Sequence, residues 1–182
     1  MNAADPLPET LGPVVKALRF ATHHHRDQRR KNAGRMPYIN HPVEVMGLLW
    51  EHAGVRDPVT LAAALLHDVV EDCEVTPAEL AAEFGDEITR LVLEVTDDRL
   101  PQAERRAAQV RGAAGLSPRA RLIRIADKVH NTRSLREGVP DTWDRARLEA
   151  YVAWARAVVD VLRGTSEALE ALFDEAVGAL EE

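Results

Sequence analysis

Hydrophobic positions recur three and four residues apart along most of the chain, which is the period of an α-helix. Val14, Val15, Leu18 and Ala21 mark a first helix over about 10–26. Pro42 suits a first helical position, and Val45, Leu48 and Leu49 carry a second helix to Gly54. Asp57-Pro58 pairs an N-cap with a first-turn proline and opens a third helix. Its run from Leu61 to Leu66 is apolar nearly all round, as in a buried helix, and it is expected to continue to 72–74. Thr76-Pro77-Ala78-Glu79 reads as a capping box for a short helix that stops at Gly85. Asp86 opens the next, with Ile88, Leu91, Val92 and Val95 inward and Thr96-Asp97-Asp98 at its close. Residues 99–117 start polar and helical, then loosen at 111–116 into a mobile loop placed to border a pocket. Ser117-Pro118 caps a helix to about 135 with the stripe Leu122, Ile125, Ala126 and Val129. Thr142 begins a long helix to Gly164, and Thr165 caps a last one over 168–180. No segment alternates as a strand does. The expected fold is all-α, with eight or nine helices in one compact domain over 10–182 and a flexible lead-in over 1–9.

Composition narrows this picture. Of 182 residues, 46% are hydrophobic and 29% charged, which suits a globular chain, and 4% aromatic favours helix over sheet. A net charge of −7 argues against a general nucleic-acid binder. It also makes the basic run from His23 to Lys31 stand out. Cys73 is the single cysteine, so no intrachain disulfide forms, in keeping with a cytoplasmic setting. No basic group adjoins it in sequence, so its thiol reads as incidental. The first residues lack the pattern of a signal peptide. No apolar run approaches the roughly 20 residues of a membrane span.

The candidate chemistry centres on His67-Asp68-Val69-Val70-Glu71-Asp72. On a helix, His67, Asp68, Glu71 and Asp72 fall within an arc of roughly 140°. Ionisable groups leaving a buried helix need a partner, and a cation is the simplest. His41 stands between Pro37 and Pro42, at a corner just before a helix. Asp127, Asn131, Ser134 and Arg124 project from one side of a helix, within roughly 80°; such a side is often only the wet one. Together His41, His67, Asp68 and Asp127 offer two imidazoles and two carboxylates. That set suits Mn²⁺, with Fe²⁺, Mg²⁺ or Zn²⁺ as further candidates. Such an ion lowers the pKa of its water and polarises a phosphoryl oxygen. Glu71 and Asp72, one turn on, are placed to move protons. Arg30 and Lys31 suit phosphate oxygens.

The order His41, His67-Asp68, Asp127 resembles the HD-domain metal-dependent phosphohydrolases. Longer stretches narrow the resemblance: Gln28-Arg29-Arg30-Lys31, Pro37-Tyr38-Ile39-Asn40-His41-Pro42, Ala63 through Asp72, Phe84-Gly85, and Ala126-Asp127-Lys128-Val129-His130-Asn131. These are similar to the hydrolase domain of RelA/SpoT-type enzymes. The length and Glu94-Val95-Thr96-Asp97-Asp98 look most like the stand-alone small alarmone hydrolases, animal homologues included. The resemblance spans about 11–180. It implies Mn²⁺-dependent removal of the 3′-pyrophosphate from (p)ppGpp, giving GDP or GTP, by a metal-activated water. It implies His41, His67, Asp68 and Asp127 as metal ligands and Glu71 and Asp72 as the catalytic pair. Arg30, Lys31, Asn131 and Ser134 then contact the nucleotide, Ser134 lying where relatives place Thr or Asp. The synthetase domain of the long relatives does not fit in this length, so hydrolysis alone is expected.

Two alternatives remain. Another HD-type nucleotide phosphohydrolase, such as an NADPH 2′-phosphatase, shares the fold and metal chemistry and differs in pocket shape. A non-catalytic alarmone sensor has no need of an acid–base pair. Either way the expected partner is a small nucleotide, with no nucleic acid or membrane; the oligomeric state is left open.

Overall fold

The computed structural model describes residues 11–31 and 35–181. The expected lead-in at 1–9 lies outside the described residues. Within them the fold is all-α, with nine helices and no strand. Its centre is α3 (Pro58–Leu66). Asp57 caps it, accepting hydrogen bonds from the Val59 and Thr60 amides and the Thr60 hydroxyl. Thr60 through Leu66 are all buried. Three alanines in that run let α1 (Gly12–His24) approach closely through its own buried Ala17 and Ala21. α1 ends two residues short of the expected 26.

The helix expected to continue to 72–74 is interrupted. His67 and Asp68 form a turn, and α4 (Val69–Asp72) resumes beyond it. His67 Nδ1 lies 2.8 Å from the Ala64 carbonyl, which an unbroken helix would offer to the Asp68 amide. Asp68 accordingly takes φ −101° and ψ −6°, a sparsely populated backbone conformation. This turn gathers the His67 and Asp68 side chains on one side.

α2 (Asn40–Glu51) begins earlier than expected, so His41 sits inside its first turn rather than before it. Pro42 is tolerated there because the first amides of a helix have no internal partner. α5 (Pro77–Val95) opens with the capping box of Thr76 and Glu79. The two helices expected on either side of Gly85 are both present within α5 and meet at that residue, whose φ of 78° and ψ of 170° leave the helix and suit only glycine without strain.

α6 (Gln102–Ala113) extends through the first half of the segment at 111–116 expected to be a mobile loop. Residues 114–116 alone turn, and Arg121 pins them through the Ala114 and Leu116 carbonyls at 2.6 and 2.9 Å. α7 (Pro118–Glu137), capped by Ser117, is the second central helix. It packs against α2, α3, α5, α8 (Arg145–Leu162) and α9 (Glu167–Glu181). Surrounded in this way, its polar side is not the wet side: Asp127, Lys128, Thr132 and Ser134 are buried. α8 is capped by Asp144 and starts after the expected Thr142. At α9 the Ser166 hydroxyl, rather than Thr165, accepts the Leu169 amide at 3.4 Å. Arg29 forms an isolated antiparallel bridge to Pro37, tying the basic segment to the segment leading into His41. No helix among the described residues is long and apolar enough to cross a membrane.

Candidate metal centre

Three helices bring four side chains to one point. His41 comes from the first turn of α2, His67 and Asp68 from the break between α3 and α4, and Asp127 from the middle of α7. His41 Nε2 lies 3.2 Å from His67 Nε2, 3.4 Å from Asp68 Oδ2 and 3.2 Å from Asp127 Oδ1. His67 Nε2 lies 3.1 Å from Asp68 Oδ2 and 3.9 Å from Asp127 Oδ1. Ligand atoms of His41, His67 and Asp68 all fall within 4.8 Å of one another, the spacing of a group that can share one ion.

The electrostatics of this cluster call for a cation. Burial opposes ionisation of Asp68 and Asp127, yet both are held well below the usual carboxylate range, Asp68 chiefly by His67 and Asp127 chiefly by Lys128. Burial likewise opposes charge on His67, but Asp68 and Asp127 overcome it and raise its pKa to about 9. His41 is lowered by burial, which the neighbouring Asp127 and Asp68 only partly offset and to which His67 adds. The two carboxylates thus draw positive charge onto the one position where the imidazole nitrogens converge. A divalent ion would supply that charge and leave both imidazoles neutral.

Neighbouring groups aim these side chains. His67 Nδ1 faces the Ala64 carbonyl, so its Nε2 points to the cluster. His41 Nδ1 faces His130 Nδ1 at 2.7 Å. Burial, with His41 beside it, lowers the His130 pKa to about 3, so its ring is neutral. Tyr38 donates to Asp68 Oδ2 at 2.6 Å, and Lys128 to Asp127 Oδ2 at 3.0 Å. These outer partners are what orient metal ligands generally. His130 and Lys128 lie inside a stretch legible in the sequence, but nothing in that stretch ties either to a particular ligand.

Glu71 and Asp72 face different cavities. Glu71 lines one of about 200 Å³ together with His41, His67, Asp68 and Asp127. Asp72 lines the adjoining one of about 340 Å³ with Gln28, Arg30 and Lys31. Burial raises the Glu71 pKa to about 7; Asp97 and Asp68 add to this, and Arg105, 2.8 Å away, only partly offsets it. Asp72 accepts a hydrogen bond from Gln28 Nε2 at 2.9 Å. Arg30 donates to Asn131 Oδ1 at 2.7 Å and Ser134 Oγ at 3.2 Å, and Asn131 in turn donates to Asp127 Oδ1 at 2.5 Å. Lys31 is exposed at the cavity edge.

Asp97 and Cys73 gain neighbours that lie far away in sequence. Asp97, which follows the close of α5 in sequence, is held between Arg124 and Gln109, with its amide toward Glu71. Cys73 does acquire a basic neighbour, with His25 Nδ1 at 3.4 Å. Burial, with Asp72 and Asp68 nearby, still pushes its thiol up to about 11, so it remains protonated.

Residues 17–157 match the family model described as an HD domain. The chain is 47% identical over 167 residues to guanosine-3′,5′-bis(diphosphate) 3′-pyrophosphohydrolase MESH1 of Mus musculus, covering 89% of this chain and 93% of that protein. It is 41% identical over 132 residues to a GTP pyrophosphokinase of Streptomyces coelicolor, covering 70% of this chain and 15% of that one. A solved structure described as a metazoan ortholog of SpoT that hydrolyses ppGpp superimposes with a TM-score of 0.90 at 40% identity, covering 98% of both chains.

Proposed function

The chain belongs to the HD-domain family, among its MESH1-type members, and from this premise we propose that it removes the 3′-pyrophosphate of guanosine alarmones. The products are GDP or GTP and pyrophosphate. The observation that carries the reading is the convergence of His41, His67, Asp68 and Asp127 beside Glu71, a carboxyl whose pKa of about 7 lets it both give and take a proton near neutrality. Residues 10–182 act as one HD-type domain, and the single cysteine supports a cytoplasmic setting.

The four clustered side chains would hold a divalent ion, and their mixed nitrogen and oxygen donors suit Mn²⁺. When bound, the ion supplies Lewis-acid polarisation of a phosphoryl oxygen and a more acidic water. The remaining work belongs to the chain. Water adds to the phosphorus carried on ribose O3′, the P–O3′ bond breaks, and O3′ takes up one proton while the water gives one up. Glu71 is the group in the cluster cavity that exchanges these protons. Asp72, fixed by Gln28, serves the adjoining cavity, where the nucleotide enters. Arg30 and Lys31 attract its phosphates, and Asn131 joins Arg30 to Asp127, coupling nucleotide binding to the cluster. A local positive focus of this kind is needed for an anionic substrate to approach a chain of net charge −7.

A product assay tests the reading. Metal-stripped protein is given ppGpp, NADPH and dGTP in parallel, with Mn²⁺ or with EDTA. Manganese-dependent GDP and pyrophosphate from ppGpp is the expected result. Phosphate from NADPH with ppGpp untouched overturns the substrate while keeping the site.

A further inference from the structure

Four basic side chains line the cluster cavity: Arg105, Arg106, Arg124 and Lys128. Three are committed to the fold. Arg124 donates to the Val95 carbonyl at 2.9 Å and to Asp97 at 3.3 Å. Lys128 is buried, bonds Asp127, and lies 4.2 Å from the Trp154 ring centre. Arg106 lies over the Trp154 and Tyr151 rings at 4.9 and 5.7 Å. Arg105 differs. Its side chain is 36% exposed, and its ion-pair partner is Glu71, the carboxyl that the reaction needs free.

The Arg105–Glu71 pair is also poorly matched as a permanent one. A guanidinium 2.8 Å from a carboxylate ordinarily holds it ionised. Here Glu71 is crowded by Asp97, Asp68 and Asp72 as well as desolvated, so it takes a proton near neutrality in spite of Arg105. A protonated Glu71 leaves the guanidinium without a compensating charge, ready for another anion.

Position says which anion. Arg105 lines both the cluster cavity and the cavity of Arg30 and Lys31, on the wall the two share. A phosphorus within reach of the cluster belongs to the inner phosphate of a 3′-diphosphate. The outer phosphate extends from it toward a wall of the cluster cavity, where the planar fork of Arg105 matches two phosphate oxygens. We propose that Arg105 docks the outer phosphate of the pyrophosphoryl group, exchanging Glu71 for substrate, and thereby selects a ribose diphosphate over a ribose monophosphate. This rests on the alarmone reading above and names the element of specificity within it. A monophosphate leaves Arg105 on Glu71, whereas a diphosphate draws it away and releases Glu71 for proton transfer.

The test compares the wild-type protein with Arg105→Ala, Arg105→Lys and Arg105→Gln; the last two keep the aliphatic stem if the alanine variant fails to fold. Inorganic pyrophosphate and inorganic phosphate are each titrated with Mn²⁺ in excess, read by tryptophan fluorescence, since Trp143 and Trp154 line both cavities. This readout does not require turnover. Loss of one charge-assisted contact predicts that Arg105→Ala weakens pyrophosphate about 10- to 100-fold and phosphate less than about threefold. Arg105→Lys recovers part of the loss. In parallel, kcat/KM for ppGpp falls more than that for NADPH. Equal weakening of both anions, or no weakening with only a lower melting temperature, overturns the proposal and leaves Arg105 as a tie between α4 and α6. Absence of ppGpp turnover in the wild-type protein overturns the alarmone reading instead, a separate result.

Discussion

His41 and His130 meet through their Nδ1 atoms, 2.7 Å apart, so one proton is shared between two rings. Burial lowers the pKa of both rings, so one Nδ1 donates to the other; with His41 Nε2 serving as a ligand atom, His41 Nδ1 carries the proton and His130 Nδ1 accepts it. That assignment leaves His41 Nε2 bare and turned toward His67 and Asp127. His130→Phe keeps a ring of similar size and removes the acceptor. Metal affinity is expected to fall about 10- to 100-fold, as for other outer partners of metal ligands. Mn²⁺ titration followed by electron paramagnetic resonance measures it. Unchanged affinity would mean that the packing of α2 alone orients His41.

Glu71→Gln is expected to lower kcat by about 10²- to 10⁴-fold, the range for losing a positioned acid–base group, with substrate affinity retained. Single-turnover kinetics beside equilibrium binding separates the two quantities. A variant that loses affinity and keeps its rate would place Glu71 in binding rather than chemistry.

The same substitution has a stability signature. The Glu71 pKa rises from 4.5 unfolded to about 7 folded, so the folded state binds the extra proton. Stability tied to this group is fully present below pH 4.5 and is lost as pH rises through about 7. With the side chain 21% exposed, the loss is on the order of 2–3 kcal/mol. Glu71→Gln removes that dependence. Urea unfolding at pH 5 and pH 8 should therefore show the wild-type protein losing stability relative to the variant at the higher pH.

Gln28 reaches across to Asp72 and itself faces His25, with Gln28 Oε1 2.6 Å from His25 Nδ1. Gln28→Leu removes the donor from a carboxylate without changing its charge. A drop of about tenfold in kcat is expected, with Mn²⁺ affinity unchanged, in line with the loss of one hydrogen bond to a charged group. A steady-state assay at saturating metal decides it. An equal fall in metal affinity would show that Gln28 supports the whole cluster.

Asp57→Ala tests the foundation of α3. The carboxylate caps two amides and the Thr60 hydroxyl and meets Arg119 at 3.3 Å. A loss of about 1–2 kcal/mol is expected in urea unfolding, with activity per folded molecule preserved. Activity lost in proportion beyond the unfolded fraction would mean that the cap also sets the position of His67.

Local chemistry was legible where its partners lie close in sequence. The Asp57 cap and the Thr76–Glu79 box each close hydrogen bonds within three residues, so residue type and spacing were enough to place them. The apolar run from Leu61 to Leu66 announced a buried helix for the same reason. The break at His67 was not legible, because it depends on a ring nitrogen taking a carbonyl that periodicity assigns to the backbone. The role of Asp97 was not legible because its partners, Arg124 and Gln109, come from other helices.

The sequence by itself determined most of the helices, the caps of α3, α5 and α7, and the residue types that converge on one family's pattern, since these follow from neighbours a few positions apart. Only the tertiary structure decided how those residues are paired. His41 meets His130 across 89 positions and Arg30 meets Asn131 across 101, while Glu71 meets Arg105 across 34. Such pairings are set by how helices cross and how far each is rotated, which no local spacing encodes. The division of Glu71 and Asp72 between two cavities has the same origin: adjacent on the chain, they are turned about 100° apart on a helical turn, and the walls they face are built by other helices.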